Sequence, residues 1–176
     1  MNSEKLAMRH KQPGHDRTFR DSETRFVDAL KRILDEEEWE IIDHPRDLSK
    51  VIAGQYGVIP EASIRHRGTG NVMYFEVKKQ GPAGNADERA CKHHTVQFYK
   101  EIHEITGLDY HPFATVMCHN LATDARYTLK HPFYFEPDHY VLWIDYDLDV
   151  LADYLAMITV KWLNPEQPVT QETIPD

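Results

Sequence analysis

One stretch constrains the fold more than any other: GVIPEASIRHRGTGNVMYFEVKKQ, residues 57–80. Val58–His66 and Asn71–Lys79 have strand composition, and Arg67-Gly68-Thr69-Gly70 between them supplies the glycines of a hairpin connection. Side chains alternate along a strand, so Met73, Phe75 and Val77 share one face while Tyr74, Glu76 and Lys78 share the other. An antiparallel pair therefore sits in the first half of the chain.

Helical spacing surrounds this pair. Phe26, Leu30, Ile33 and Leu34 mark one buried face of a helix that Asp21 or Ser22 can cap, and the acidic Asp35–Glu38 run ends it. A second helix is predicted from about Glu88 to Thr106, and a third from Asp147 through Leu148, Leu151, Leu155, Ile158 and Trp162. Trp39–Ile42, Phe113–His119, Tyr127–Phe135 and Tyr140–Tyr146 read as further strands, with Tyr140, Trp143 and Trp162 as core aromatics. Strands mixed with helices on a chain of 176 residues give an α/β fold, a mixed β-sheet flanked by helices. The expected organisation is a flexible N-terminal arm at 1–20, a single domain at 21–163 and a disordered tail at 164–176.

Composition excludes several classes. No apolar run is long enough to cross a membrane, and residues 1–15 do not look like a secretion signal. Two cysteines, Cys91 and Cys118, cannot build a disulfide framework or a zinc ribbon, and Cys91 is expected to be packed rather than reactive. A cytoplasmic protein is the expectation. The net charge of −9 argues against a polyanion partner until its distribution is considered. Residues 62–100 hold seven basic and three acidic residues, whereas residues 101–176 hold three basic and thirteen acidic ones. The basic surplus thus coincides with the hairpin and the segment after it.

Glu76 and Lys78 project from the same strand face, and the hairpin can bring Glu61 beside Glu76. Two carboxylates with one lysine suit phosphodiester hydrolysis. The acids hold Mg²⁺, a hard ion that takes oxygen ligands and polarises a phosphoryl oxygen, and the ammonium stabilises developing negative charge. His93-His94 looks like a metal pair, but neighbours on a helix point about 100° apart and co-ligate poorly.

Pro60-Glu61 followed by Glu76-Val77-Lys78 resembles the signature of the PD-(D/E)XK nuclease superfamily, with Glu61 where the first acid is usually Asp. Downstream, Gly84-Asn85-Ala86-Asp87-Glu88-Arg89 and Ala90-Cys91-Lys92 resemble the G-N-A-x-E-R-x-x-K segment of MunI/EcoRI-like type II restriction endonucleases. The strong match covers about residues 57–95. This resemblance implies a restriction-endonuclease-like fold and an Mg²⁺-dependent double-strand DNA endonuclease, with Mn²⁺ as a substitute ion. Glu61, Glu76 and the Val77 carbonyl would bind the metal, and Lys78 would be the catalytic lysine. Gly84, Asn85, Ala86, Glu88 and Arg89 would read an AATT centre in the major groove, where Asn suits the adenine edge. Lys79, Lys92, His93, His94 and Arg65 would touch phosphates. A homodimer matches a palindromic site cut to leave 5′ overhangs, and a cognate DNA methyltransferase is a compatible partner. Two other readings stay open: a DNA-binding module of this fold with weakened catalysis, and a repair or phage DNA-processing nuclease.

Overall fold

A computed structural model describes residues 21–49, 57–81, 84–118 and 128–165. Five strands form one sheet in the order β1 (Trp39–Asp43), β2 (Ala62–His66), β3 (Val72–Lys79), β4 (Phe113–Cys118), β5 (Tyr140–Leu142). β1, β2 and β3 run as an antiparallel meander, while β4 and β5 are parallel to β3. The class is therefore the expected α/β fold with a mixed sheet.

Helices cover both faces. On one, helix α1 (residues 21–33) and helix α5 (Leu148–Ile158) close over Ile64, Met73, Phe75, Val77 and Val116. Phe26 of α1 lies edge-on to Phe75 at 5.1 Å and to Trp143 at 5.8 Å between ring centroids. On the other face, helix α3 (Val96–Thr106) sets Phe98 and Ile102 against Val72, Tyr74 and Phe113. Both faces of β3 are thus covered, with alternation as the sequence predicts. The hairpin turn places Gly70 at φ +76°, a left-handed conformation that favours glycine, and Asn71 Nδ2 donates to the Trp162 carbonyl at 2.9 Å. That bond pins the hairpin to the π-helical turn Thr159–Leu163 that closes α5.

Four expected elements differ. The first hairpin strand starts at Ala62 rather than Val58: Pro60 has no N–H for a ladder, and Val58 N–H donates instead to the Leu48 carbonyl at 3.0 Å. The long helix over 88–106 is broken into helix α2 (Ala86–Ala90), a 3₁₀ turn (Cys91–His94) and α3. Thr95 makes the break, with extended backbone and a side-chain oxygen that accepts the Phe98 N–H at 3.2 Å. The strand predicted at Tyr127–Phe135 is instead helix α4 (His131–Tyr134), since Pro132 suits a first helical turn and cannot feed a ladder. The last strand stops at Leu142, where the chain turns through Asp145 (φ 52°) and Tyr146 (φ 54°) before Asp147 caps α5 as expected. The proposed arm at 1–20 and the tail from residue 166 lie outside the described residues. Among the described residues no helix is long and apolar enough to cross a membrane.

Phe75 is fully buried on the face of β3 that packs on α1. Phe75→Ala is expected to cost about 3–5 kcal/mol, the range for emptying an aromatic core site. Urea unfolding of the variant against the wild type measures this directly.

Candidate active site

The site lies where β3 leaves the sheet. Its face towards α3 runs Tyr74, Glu76, Lys78, and cover thins along it, from 2% exposure at Tyr74 to 7% at Glu76. The Lys78 side chain is 28% exposed, so its ammonium reaches solvent while its stem stays packed. Glu61 sits just before β2, and the register that pairs Ala62 with Phe75 sets it opposite Glu76. Glu61 N–H donates to the Phe75 carbonyl at 3.0 Å, which fixes that position.

The three side chains meet. Lys78 Nζ is 2.5 Å from Glu76 Oε1 and 3.6 Å from Glu61 Oε1. The other Glu61 oxygen, Oε2, accepts the Val77 backbone N–H at 2.9 Å. By contrast, the ion pair Arg65–Glu40, at 3.6 Å and about 40% exposed on both sides, contributes little.

Electrostatics divides the two acids. Burial, reinforced by the Glu76 charge, pushes Glu61 up to about 8, and Lys78 with the Val77 N–H offsets only part of that. Burial also works against the Glu76 charge, but the Lys78 ammonium outweighs it and holds that carboxyl below its ordinary range. For Lys78, burial is outweighed by Glu76 and Glu61, so its pKa is raised. At neutral pH without metal, the site is one carboxylic acid, one carboxylate and one ammonium. Its donors are hard oxygens, and two carboxylates completed by waters match what Mg²⁺ takes. The residues present therefore fit a divalent ion. Among the described residues, no group of three or more His, Cys, Asp or Glu side chains forms a fuller metal cage.

The family model of the type II restriction enzyme MunI matches residues 50–163. The chain belongs to that family. It is accordingly a restriction endonuclease of the MunI type. The solved structure of MunI restriction endonuclease in complex with cognate DNA matches with a TM-score of 0.62 and 21% identity, over 72% of this chain and 83% of that one. At that identity the likeness is one of fold. No curated protein sequence matches the chain.

The segment matching the family's G-N-A-x-E-R motif follows directly. Gly84, Asn85, Glu88 and Arg89 are exposed, Ala86 is half-buried and Asp87 is buried at 2%. Lys92 is exposed and Lys79 half-buried, on the strand face opposite Lys78. Arg65 is engaged at the hairpin end, where Nη1 donates to the Gly70 carbonyl at 2.9 Å, away from the acids.

His93 and His94, expected at phosphates, require a correction. They are 2% and 9% exposed, because the 3₁₀ turn directs both rings onto the sheet. His93 stacks on Phe113 at 4.8 Å, and His94 Nε2 donates to Thr115 Oγ1 at 2.8 Å while its Nδ1 accepts the Glu136 N–H at 3.1 Å. Burial pushes His93 down to about 4 and His94 to about 3, so both are neutral and supply no charge for phosphate. With His111 and His139 they form a buried imidazole cluster behind the site that sequence reasoning missed. A partial signal was available: His94, His111 and His139 stand beside Thr95, Tyr110 and Tyr140, whereas His93 follows Lys92 and carries none.

Glu61 titrates far above its ordinary 4.5 in the folded chain, so its contribution to stability is whole below that value and is lost as pH rises through about 8. Metal-free wild type should therefore lose melting temperature between about pH 6.5 and pH 8, above the range in which the buried histidines titrate, and Glu61→Gln should lose less. Thermal unfolding in EDTA across that range tests the difference; parallel curves would contradict the assignment.

Proposed function

We propose that the chain is an Mg²⁺-dependent, site-specific endonuclease of double-stranded DNA. It acts as a homodimer on a palindrome with an AATT centre and leaves 5′ overhangs. One observation carries the reading: two largely buried acids and an ammonium converge at the end of β3, and the exposed side chains of Asn85, Glu88 and Arg89 follow seven to eleven residues after Lys78.

Glu61, Glu76 and the Val77 carbonyl would hold the ion, with Mn²⁺ as a substitute. When bound, the ion supplies Lewis-acid polarisation of the scissile phosphate. The chain's own groups do the rest. Lys78, held charged by its two acids, stabilises negative charge developing on the phosphoryl group. Asn85 offers the amide that pairs bidentately with adenine N6 and N7, and Arg89 spans its neighbours. Lys79 and Lys92 set the register on phosphates. Arg65, bound at the hairpin, and the neutral His93 and His94 are left out of this contact set. The related MunI structure was solved with cognate DNA, which supports a duplex as the partner here. A cytoplasmic setting with a protecting DNA methyltransferase would suit such an enzyme.

Lys78→Ala or Glu76→Ala should cut at least about a hundredfold more slowly while retaining fold and duplex binding. Sequencing the ends released from a random duplex library with Mg²⁺ should return AATT-centred sites from the wild type. Duplex binding without cleavage in Mg²⁺ or Mn²⁺ would instead identify a binding module, and smeared, sequence-independent ends a repair-type nuclease.

A further inference from the structure

Gln80 follows the catalytic strand directly and is 97% buried, being 3% exposed. Every polar atom of its amide is used. Nε2 donates to the Gly84 carbonyl at 2.7 Å and the Gly81 carbonyl at 3.0 Å. Oε1 accepts the N–H of Ala86 at 2.9 Å and of Asp87 at 3.3 Å. Those two N–H groups are the first of helix α2 and have no acceptor within it, and that of Asp87 is one an N-cap side chain commonly satisfies.

The residue at the cap position is Asn85, among the best capping residues in general, yet here its side chain makes no cap hydrogen bond. Gln80 has taken the task. The space is shaped for it: a Cβ on Gly84 would stand 3.2 Å from Gln80 Nε2, so only glycine at 84 admits the amide without displacement. Gln80 is also anchored to the sheet, its own N–H donating to the Cys118 carbonyl of β4 at 3.0 Å. Only Lys79 separates it from Lys78 along the chain.

We infer that Gln80 is a positioning residue: by capping α2 from the end of the catalytic strand, it keeps the Asn85 amide off its own helix and fixes its place relative to Glu76 and Lys78. The inference rests on the reading of Asn85 as a base-contacting residue. It adds what makes that side chain available and what ties reading to cutting. Without Gln80, the Asn85 amide is the nearest replacement cap for the Asp87 N–H, and a side chain folded back onto it cannot also face a base.

The test uses the full chain with Gln80→Ala, Asn85→Ala and the double variant. In the DNA-free protein, amide hydrogen exchange should be faster than in the wild type at Ala86 in Gln80→Ala, and at both Ala86 and Asp87 in the double variant, where Asn85 can no longer take over; unchanged protection in the double variant would overturn the cap. In Ca²⁺, which supports binding without cutting, discrimination between the wild type's preferred duplex and a scrambled one should fall roughly tenfold or more in either single variant. The double variant should fall little further, because both changes remove one interaction. Independent, multiplying losses, or a Gln80→Ala protein with full discrimination, would leave Gln80 a merely structural residue. Thermal unfolding separates these effects from misfolding. If the wild type itself shows no sequence preference, the proposed function fails, while the exchange measurement still decides whether Gln80 caps the helix.

Discussion

A strand covered on both faces has few places for a charge. β3 is bonded to β2 on one edge and β4 on the other, with α1 and α5 on one face and α3 on the opposite one. Along most of its length the only tolerable side chains are apolar, or aromatic with a satisfied hydroxyl such as Tyr74, which donates to Asp47. Glu76 and Lys78 are admitted only because they stand where that cover ends and because each neutralises the other. Removing one would strand a buried charge, which costs more than the pair gains. The functional groups thus sit at the boundary between a rigid core and solvent, where their directions are set by the sheet and their charges by one another.

The same geometry separates the roles of two chemically identical acids. Glu76 is bracketed by Lys78 and stays ionised, while Glu61 is pushed up to about 8 by burial beside that charge. The metal-free site therefore holds a proton on Glu61, which a bound divalent cation would displace. Behind it, buried imidazoles and aromatic rings provide a packed backing, and the field at the site is led by Glu61, Glu76 and Lys78.

Much of this was legible in the sequence, for specific reasons. Alternation in β3 is a local property, and it gave the faces of Met73, Phe75 and Val77 against Tyr74, Glu76 and Lys78 correctly. The Glu61–Glu76 meeting followed from one short hairpin. The fold class followed from interleaved periodicities, and the family from two motifs in the right order. The misses have a common origin in non-local partners. The break at Thr95 depends on a cap that competes with a helical pattern otherwise continuous over Glu88–Thr106. His93 and His94 were read by charge, whereas their burial is set by Phe113 and Thr115 on a strand about twenty residues away. The Gln80 amide looked like an ordinary polar residue after a strand, since its four partners, at Gly81, Gly84, Ala86 and Asp87, become visible only in the folded chain.

Glu61 stands where relatives of this fold usually have the shorter aspartate, and its bond to Val77 shows what the longer arm reaches. β2 begins only at Ala62, so beyond it the backbone offers β3 no acceptor for the Val77 amide; Oε2 supplies the missing rung. One carboxyl thereby mends the fringe of the sheet with one oxygen and faces the lysine with the other. Any cation arriving here must share an acid that is already part of the fabric, which couples ion capture to the tautness of the strand carrying the chemistry.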